Sequence, residues 1–307
     1  MELIGENIHI ISKKIRESLI ARDEALVTEL VSEQEAMNYI DLNVGPAKSG
    51  LEDVLPWLVN LVQNKNAKIG ISLDTTNADE MRKGLSVCKN YENIIVNSAS
   101  DDVARLESMT DLASEFNTKL IALTLNSKTG IPKDAEGRVE LALDIYETCM
   151  IKGISNERIY FDPLVLPISV DQAQASEALN TIKILKESFE PACKTTIGLS
   201  NISNGSPKEL RPLINRVFLA LAFGAGLDSA IVDATDTKLF NMVKMLESGS
   251  PKSESDKLLI DLGSVIGDFR DISEIEYDKN DKESVDIYKT AYVLMNKEIY
   301  SHSFTQV

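Results

Sequence analysis

Eight short apolar runs, each followed closely by a carboxylate, a carboxamide or a hydroxyl, constrain this chain more than any other feature. They occupy residues 3–4, 39–43, 69–73, 93–96, 120–125, 158–161, 195–199 and 230–232. Several are nearly continuous in apolar character and rich in Ile and Val, as strands buried on both faces must be. Amphipathic stretches separate them. Leu26, Val27, Leu30 and Val31 form a stripe behind Asp23, a natural N-cap, and Leu141, Leu143, Ile145 and Tyr146 belong to a later helical stretch. The segment 219–223 is apolar almost all round, which places it between a sheet and neighbouring helices. Strand followed by helix, eight times over, predicts a parallel (β/α)₈ barrel. A doubly wound open sheet would fit the same alternation, but no GxGxxG follows the first run. At 307 residues the chain suits one such barrel, a single domain over 1–307, with an excursion.

That excursion is residues 247–286, which carry twelve acids and five bases. It reads as an acidic, solvated insertion with one packed amphipathic helix (Leu258, Leu259, Leu262, Ile266), ahead of a final helix at 285–299. The whole chain is acidic too, 48 acids against 32 bases, which argues against a nucleic-acid partner. No apolar run is long enough for a membrane span, and the N-terminus reads as a strand, not as a signal peptide. Three scattered cysteines fit a reducing, cytoplasmic compartment.

In a barrel of this kind the chemistry sits where strands end. The runs end at Glu6 and Asn7, Asp41 and Asn43, Asp74, Asn97, Thr124 and Asn126, Asp162, Ser200 and Asn201, and Asp233. Any one of these can cap the next helix or close a turn. A full ring of them is better explained as a binding rim. The rim has no Ser–His or Cys–His pair, and Lys194 precedes its strand, at the wrong end for a Schiff base. A divalent metal held by Asp41, Asp74, Asp162 and Asp233 is one use of the carboxylates; a flat heteroaromatic ring, bound by Asp and Asn as acceptors and donors, suits the set better. No protein-bound catalytic metal is expected. His9 reads as a loop histidine beside the pocket.

At these residues the sequence resembles the pterin-binding methyltransferases that exchange a methyl group between tetrahydrofolate and a corrinoid protein. They serve the acetyl-CoA pathway and anaerobic O-demethylation. The resemblance rests on Asp41-Leu42-Asn43-Val44-Gly45-Pro46-Ala47, Leu73-Asp74-Thr75-Thr76-Asn77, Val96-Asn97-Ser98, Thr129-Gly130-Ile131-Pro132, Phe161-Asp162-Pro163-Leu164, Gly198-Leu199-Ser200-Asn201, and Arg211-Pro212-Leu213-Ile214-Asn215-Arg216. It implies a pterin-binding (β/α)₈ barrel, a homodimer, a folate substrate (5-methyltetrahydrofolate or tetrahydrofolate), and cobalamin carried by a partner corrinoid protein. It further implies that Asp74, Asn97 and Asp162 hold the pteridine, that Asn201 reaches N5 as the catalytic amide, and that Asn204 and Arg211 lie near the folate. Glu6, Asp41 and Asn43 are further candidates, and Arg211 and Lys133 are candidates to face an anionic folate tail. Two rivals stand beside this reading: a non-catalytic pterin-binding or corrinoid-docking subunit, and dihydropteroate synthase. That synthase family ends its last strand with Arg-x-His, whereas this chain has Asp233-Ala234-Thr235.

Overall fold

A computed structural model describes residues 1–268 and 270–306. Its strands are β1 (Glu2–His9), β2 (Tyr39–Gly45), β3 (Gly70–Thr75), β4 (Ile94–Ser100), β5 (Lys119–Leu123), β6 (Ile159–Asp162), β7 (Lys194–Thr195) and β8 (Ser229–Val232). Helices α1 (Lys13–Ala21) and α2 (Glu24–Glu33) follow β1, and α3 (Val54–Lys65) follows β2. Then α4 (Ala78–Ser86), α5 (Val103–Glu115), α6 (Ala135–Ile151), α7 (Ala173–Ser188) and α8 (Arg211–Gly224) follow the next five strands in turn. After β8 come α9 (Thr237–Ser248), α10 (Glu254–Gly267) and α11 (Lys282–Leu294).

All strand pairings are parallel, and β1 pairs with both β2 and β8. The barrel closes where the chain beyond β7 meets β8: Gly198 bridges to Ile231, and the Ile231 N–H donates to the Ile197 carbonyl at 2.8 Å. The (β/α)₈ expectation therefore holds, and the eight runs fall on the eight strands. Two bounds differ. The first strand runs on through Glu6 and Asn7 to His9. The seventh stops at Thr195 because a 3₁₀ turn over Leu199–Ser203 draws the chain out of the ladder.

Strand periodicity builds the interior in layers, because every second residue faces inward. The middle layer is apolar: Ile4, Tyr39, Ile95, Ile121 and Tyr160 form one cluster, joined by Leu123 and Ile231. Below it, at the strands' N-terminal ends, Glu2 sits between Lys119 and Lys194 and accepts the Tyr160 hydroxyl at 2.7 Å. Lys194 is thus at the far end of the barrel from the rim, as its place before the strand implied. Two residues above the apolar layer, the same inward columns present Glu6, Asp41, Asn97, Asp162 and Asp233. Ser72 and Asp74 come from β3.

The acidic segment carries the packed amphipathic helix expected of it, and the stretch 249–254 leading into that helix is exposed. Leu258, Leu262, Val265 and Ile266 of α10 are buried with Ile272 in the core that surrounds α8. That burial is why α8 is apolar nearly all round, with Ile214 and every residue from Val217 to Ala222 buried. The two helices meet backbone to backbone. A Cβ on Gly224 would stand 1.9 Å from the Gly263 carbonyl oxygen, so no side chain fits there. The charged residues of α10 are exposed (Glu254, Lys257) or half-buried (Asp256, Asp261). The last helix also shifts, beginning at Lys282 behind an Asp281 cap (2.9 Å to the Ser284 N–H) and ending at Leu294. Asn296, with φ +55°, then turns the chain, so 295–299 lies outside it. Among the described residues no helix is long and apolar enough to cross a membrane.

Candidate active site

The top layer is a partly hydrogen-bonded set of side chains around the strand ends. Asp41, 4% exposed, accepts the Ser72 hydroxyl at 2.6 Å and the Asn97 amide at 3.2 Å. Asn43 donates to Asp74. Burial drives the Asp41 carboxyl well above its ordinary range, and the Asp74 charge beside it adds to the rise. Burial lifts Asp74 to about 6, against the pull of the Asn43 amide and the Arg105 guanidinium. Arg105 is held in place by bonds to the Ser98 carbonyl (3.0 Å) and hydroxyl (2.9 Å).

Asp162 closes the other side. It is 6% exposed, and one oxygen accepts the Leu164 N–H at 2.8 Å. Burial raises it to about 7, with that backbone bond and the charge of Arg138 opposing. Arg138 is fully buried in α6, bonded to Gln174 and to the Pro132 carbonyl, and one of its terminal nitrogens has no partner among the described residues.

Glu6 joins this set to the loop after β7. Its carboxyl accepts the Ser200 hydroxyl at 2.5 Å. Burial raises it to about 7, the Ser200 bond opposes, and the charges of Asp233 and Asp41 add to the rise. Asp233 goes the other way. Burial pushes it up, but the Asn7 amide (2.8 Å) and the Thr235 hydroxyl and N–H outweigh burial and hold it below its ordinary value. His9 ends β1; burial lowers its pKa against the attraction of Asp233, so it is neutral at pH 7.

Beside these side chains lies a cleft of about 650 Å³ between the 199–209 loop and the starts of α8 and α9. Glu6, Ser200, Asn204, Arg211, Arg216 and Lys238 are among its lining residues. Asn201 stands exposed in the 3₁₀ turn, between the lining residues Ser200 and Ser203 but not itself among them. Its amide nitrogen is 2.9 Å from where a Cβ on Gly198 would be, and its oxygen receives the Asn204 amide at 3.5 Å. The absent side chain of Gly198 is what gives Asn201 its room. Arg211 donates to the Ser206 carbonyl at 2.9 Å.

The structure thus sorts the expected residues into two groups. Asp41, Asn43, Asp74, Asn97 and Asp162 form the polar floor, Glu6, Asn204 and Arg211 line the cleft, and Asn201 stands between the lining residues Ser200 and Ser203. Lys133 joins neither; its side chain is exposed and its carbonyl is taken by Gln174 at 2.9 Å. Asp41, Asp74, Asp162 and Asp233 do not converge, and among the described residues no three His, Cys, Asp or Glu side chains gather as a metal site. Sequence reasoning missed Arg105 and Arg138, the cations beneath the floor. A single Arg among the buried positions of α6 was the available signal. It also missed Arg216 and Lys238.

Chemically, the floor offers three carboxyls with raised pKa values and two carboxamides at the end of an apolar shaft. A carboxyl poised near neutrality is stabilised in its ionised form by any ligand that donates N–H groups to it. A planar ring bearing amine and amide donors fits that demand.

Comparison with known proteins follows the same line. The profile of the pterin-binding enzyme family matches residues 38–233. The methylcorrinoid:tetrahydrofolate methyltransferase of Eubacterium limosum is 27% identical over 247 residues, 79% of this chain and 89% of that protein. Methionine synthase of Mycobacterium leprae is 28% identical over 254 residues, which are 78% of this chain but only 21% of that longer protein. Among solved structures, dihydropteroate synthase from Coxiella burnetii, in complex with pteroic acid, superposes with a TM-score of 0.59 at 15% identity, covering 81% of this chain and 94% of that one. The enzyme from Anaplasma phagocytophilum, with a bound pterin monophosphate, gives 0.54 at 16%, covering 87% and 99%. At those identities the likeness speaks for the fold alone.

Proposed function

The chain belongs to the pterin-binding enzyme family, and on that premise we propose that it transfers a methyl group between N5 of tetrahydrofolate and the cobalt of a corrinoid carried by a partner protein. The observation that carries the reading is the floor: Asp41, Asn97 and Asp162 buried and Asp74 half-buried at the strand ends, with Asp74 and Asn97 in register, near a cleft lined by Ser200 and Asn204 on either side of Asn201. The carboxyls accept the pteridine's amine and ring N–H groups, and Asn97, tied to Asp41, supplies an amide with both donor and acceptor.

Methyl transfer from N5 asks little covalent chemistry of the protein. The leaving amine changes charge as the carbon–nitrogen bond breaks, so a preorganised hydrogen bond at N5 lowers the barrier. Asn201 takes that part, because its amide can turn to offer either a donor or an acceptor. Glu6 titrates near 7 and lines the cleft, so it is the group placed to hold a proton there at neutral pH. The corrinoid is the second substrate, and its cobalt is the methyl acceptor or donor.

The dihydropteroate synthase alternative has support in the fold neighbours only. The end of β8 speaks against it: Asp233 accepts the Asn7 amide and the Thr235 hydroxyl and N–H where that family has a basic pair. The test is to mix the protein with cob(I)alamin and 5-methyltetrahydrofolate, and separately with a pterin pyrophosphate and p-aminobenzoate. The reading expects the Co(I) spectrum to give way to methyl–Co(III) in the first and no condensation in the second. The reverse pattern would replace it.

A further inference from the structure

The cleft continues beyond Lys238. A second cavity, of about 270 Å³, opens beyond Arg216 and Lys238, and those two side chains line both spaces. Its wall includes Lys252, Ser255 and Leu259, which the acidic segment supplies. At several times the ~30 Å³ one water occupies in the liquid, it is a binding space and not a packing defect.

Its chemistry is specific. The floor is apolar, made by Met242 and Met245 of α9 with Leu259 and Ile287 of the two following helices. The edge is cationic. Arg216 is paired to Asp236 at 3.3 Å, while Lys238 and Lys252 have no carboxylate partner among the described residues. Two acids also stand at the edge: Asp256 accepts the Lys252 N–H at 2.9 Å, and Glu283 accepts the Ser255 hydroxyl at 3.2 Å. The lining therefore holds three cations against two carboxylates, a small positive excess on a chain of formal charge −16. The ligand that fits has carboxylates at intervals, separated by short methylene stretches that can lie on Met and Leu.

We infer that the Arg216–Lys238–Lys252 track holds a γ-linked oligoglutamate tail on the folate, and that the acidic segment serves substrate selection by building the far wall of that track. Each γ-glutamyl unit offers one carboxylate, one amide and two methylenes, which matches cations over an apolar floor. The tail leaves the cleft at Arg216 and Lys238 and passes into the second cavity toward Lys252. This inference rests on the folate reading above.

The test is equilibrium binding of tetrahydrofolate carrying one, three or five γ-linked glutamates, at low and at raised ionic strength. Exposed charge pairs each add a few-fold in affinity, so the triglutamate is expected to bind about 10-fold more tightly than the monoglutamate at low salt. Raised salt should shrink that ratio. Lys252→Glu should abolish most of the gain and leave the monoglutamate affinity unchanged. The variant should fold, because Lys252 is exposed and a negative charge before the first turn of α10 suits the helix dipole. Lys244→Glu, with the same charge change but an ammonium lying over the Phe240 ring, should alter neither affinity. Equal affinities for the mono- and triglutamate forms, or a gain that survives Lys252→Glu, would overturn the inference while leaving the folate reading intact. Failure to bind any of the folates would remove both.

Discussion

Replacing Asp162 with Asn should make the ligand-free protein more stable and the pterin site useless. The carboxyl titrates at about 7 in the folded chain against 3.8 for an unperturbed Asp, because burial disfavours its charge. Its folded pKa is raised, so the acid form favours folding. That contribution is whole below about pH 4 and is lost as pH rises through 7. At about 1.36 kcal/mol per pKa unit, burying Asp162 costs the fold about 4 kcal/mol at pH 8, where the buried carboxyl is mostly ionised, and about 2 at pH 5.5, where it keeps a proton that the unfolded chain gives up. Asn has nearly the same shape, never ionises, and can still accept the Leu164 N–H, although a neutral acceptor gives back about 1 kcal/mol. The expected net gain is therefore about 3 kcal/mol at pH 8, shrinking to about 1 at pH 5.5. Urea unfolding of both proteins at the two pH values measures it. Calorimetry with tetrahydrofolate should show weak or no binding to the variant. A variant less stable than the parent at pH 8, or a difference that does not change with pH, would refute the electrostatic reasoning.

Four further outcomes follow from the same geometry. Folate binding near pH 6.5 should release protons, since ligand N–H groups favour the ionised carboxyls of Asp74 and Asp162; affinity should fall below pH 6, and calorimetry in two buffers of different ionisation enthalpy reads both. Methyl transfer out of folate should slow as pH rises through 7, where Glu6 loses its proton, and Glu6→Gln should flatten that limb of the pH–rate profile. Leu262→Ala, at a fully buried position of α10, should cost 2–5 kcal/mol in urea unfolding, whereas a solvated excursion would tolerate it. Gly224→Ala should be worse than its size suggests, because the new methyl meets the Gly263 carbonyl; unchanged stability would contradict the close α8–α10 crossing.

The barrel was legible because the strands are local and repetitive. Apolar runs such as residues 69–73 end in a polar residue at a fixed phase, so the period of two that buries Ile95 and Tyr160 also delivers Asn97 and Asp162 to the rim. The floor residues were readable for that reason, and the resemblance gave them roles. What was not readable depends on contacts far apart in sequence. The apolar stripe of α10 was readable from its helical spacing, but its partner was not, and only the fold shows that α8 covers it. Arg105 and Arg138 look like ordinary helix residues until the fold sets their guanidiniums toward Asp74 and Asp162. The short seventh strand was overestimated because residues 195–199 are apolar enough for a strand, yet the 3₁₀ turn beginning at Leu199 places Asn201 between the cleft residues Ser200 and Ser203.

The central claim is that this rim moves a methyl group between folate and cobalt with Asn201 at N5. It is tested most directly by a single turnover with methyl-labelled 5-methyltetrahydrofolate and cob(I)alamin, run on the parent protein and on Asn201→Ala. The account predicts labelled methylcobalamin from the parent. It predicts a rate at least about 100-fold lower in the variant, the size expected for losing one preorganised transition-state hydrogen bond, with folate affinity changed only a few-fold. Folate bound by the parent with no label reaching cobalt would contradict the chemistry, and an unchanged rate in the variant would contradict the role of Asn201.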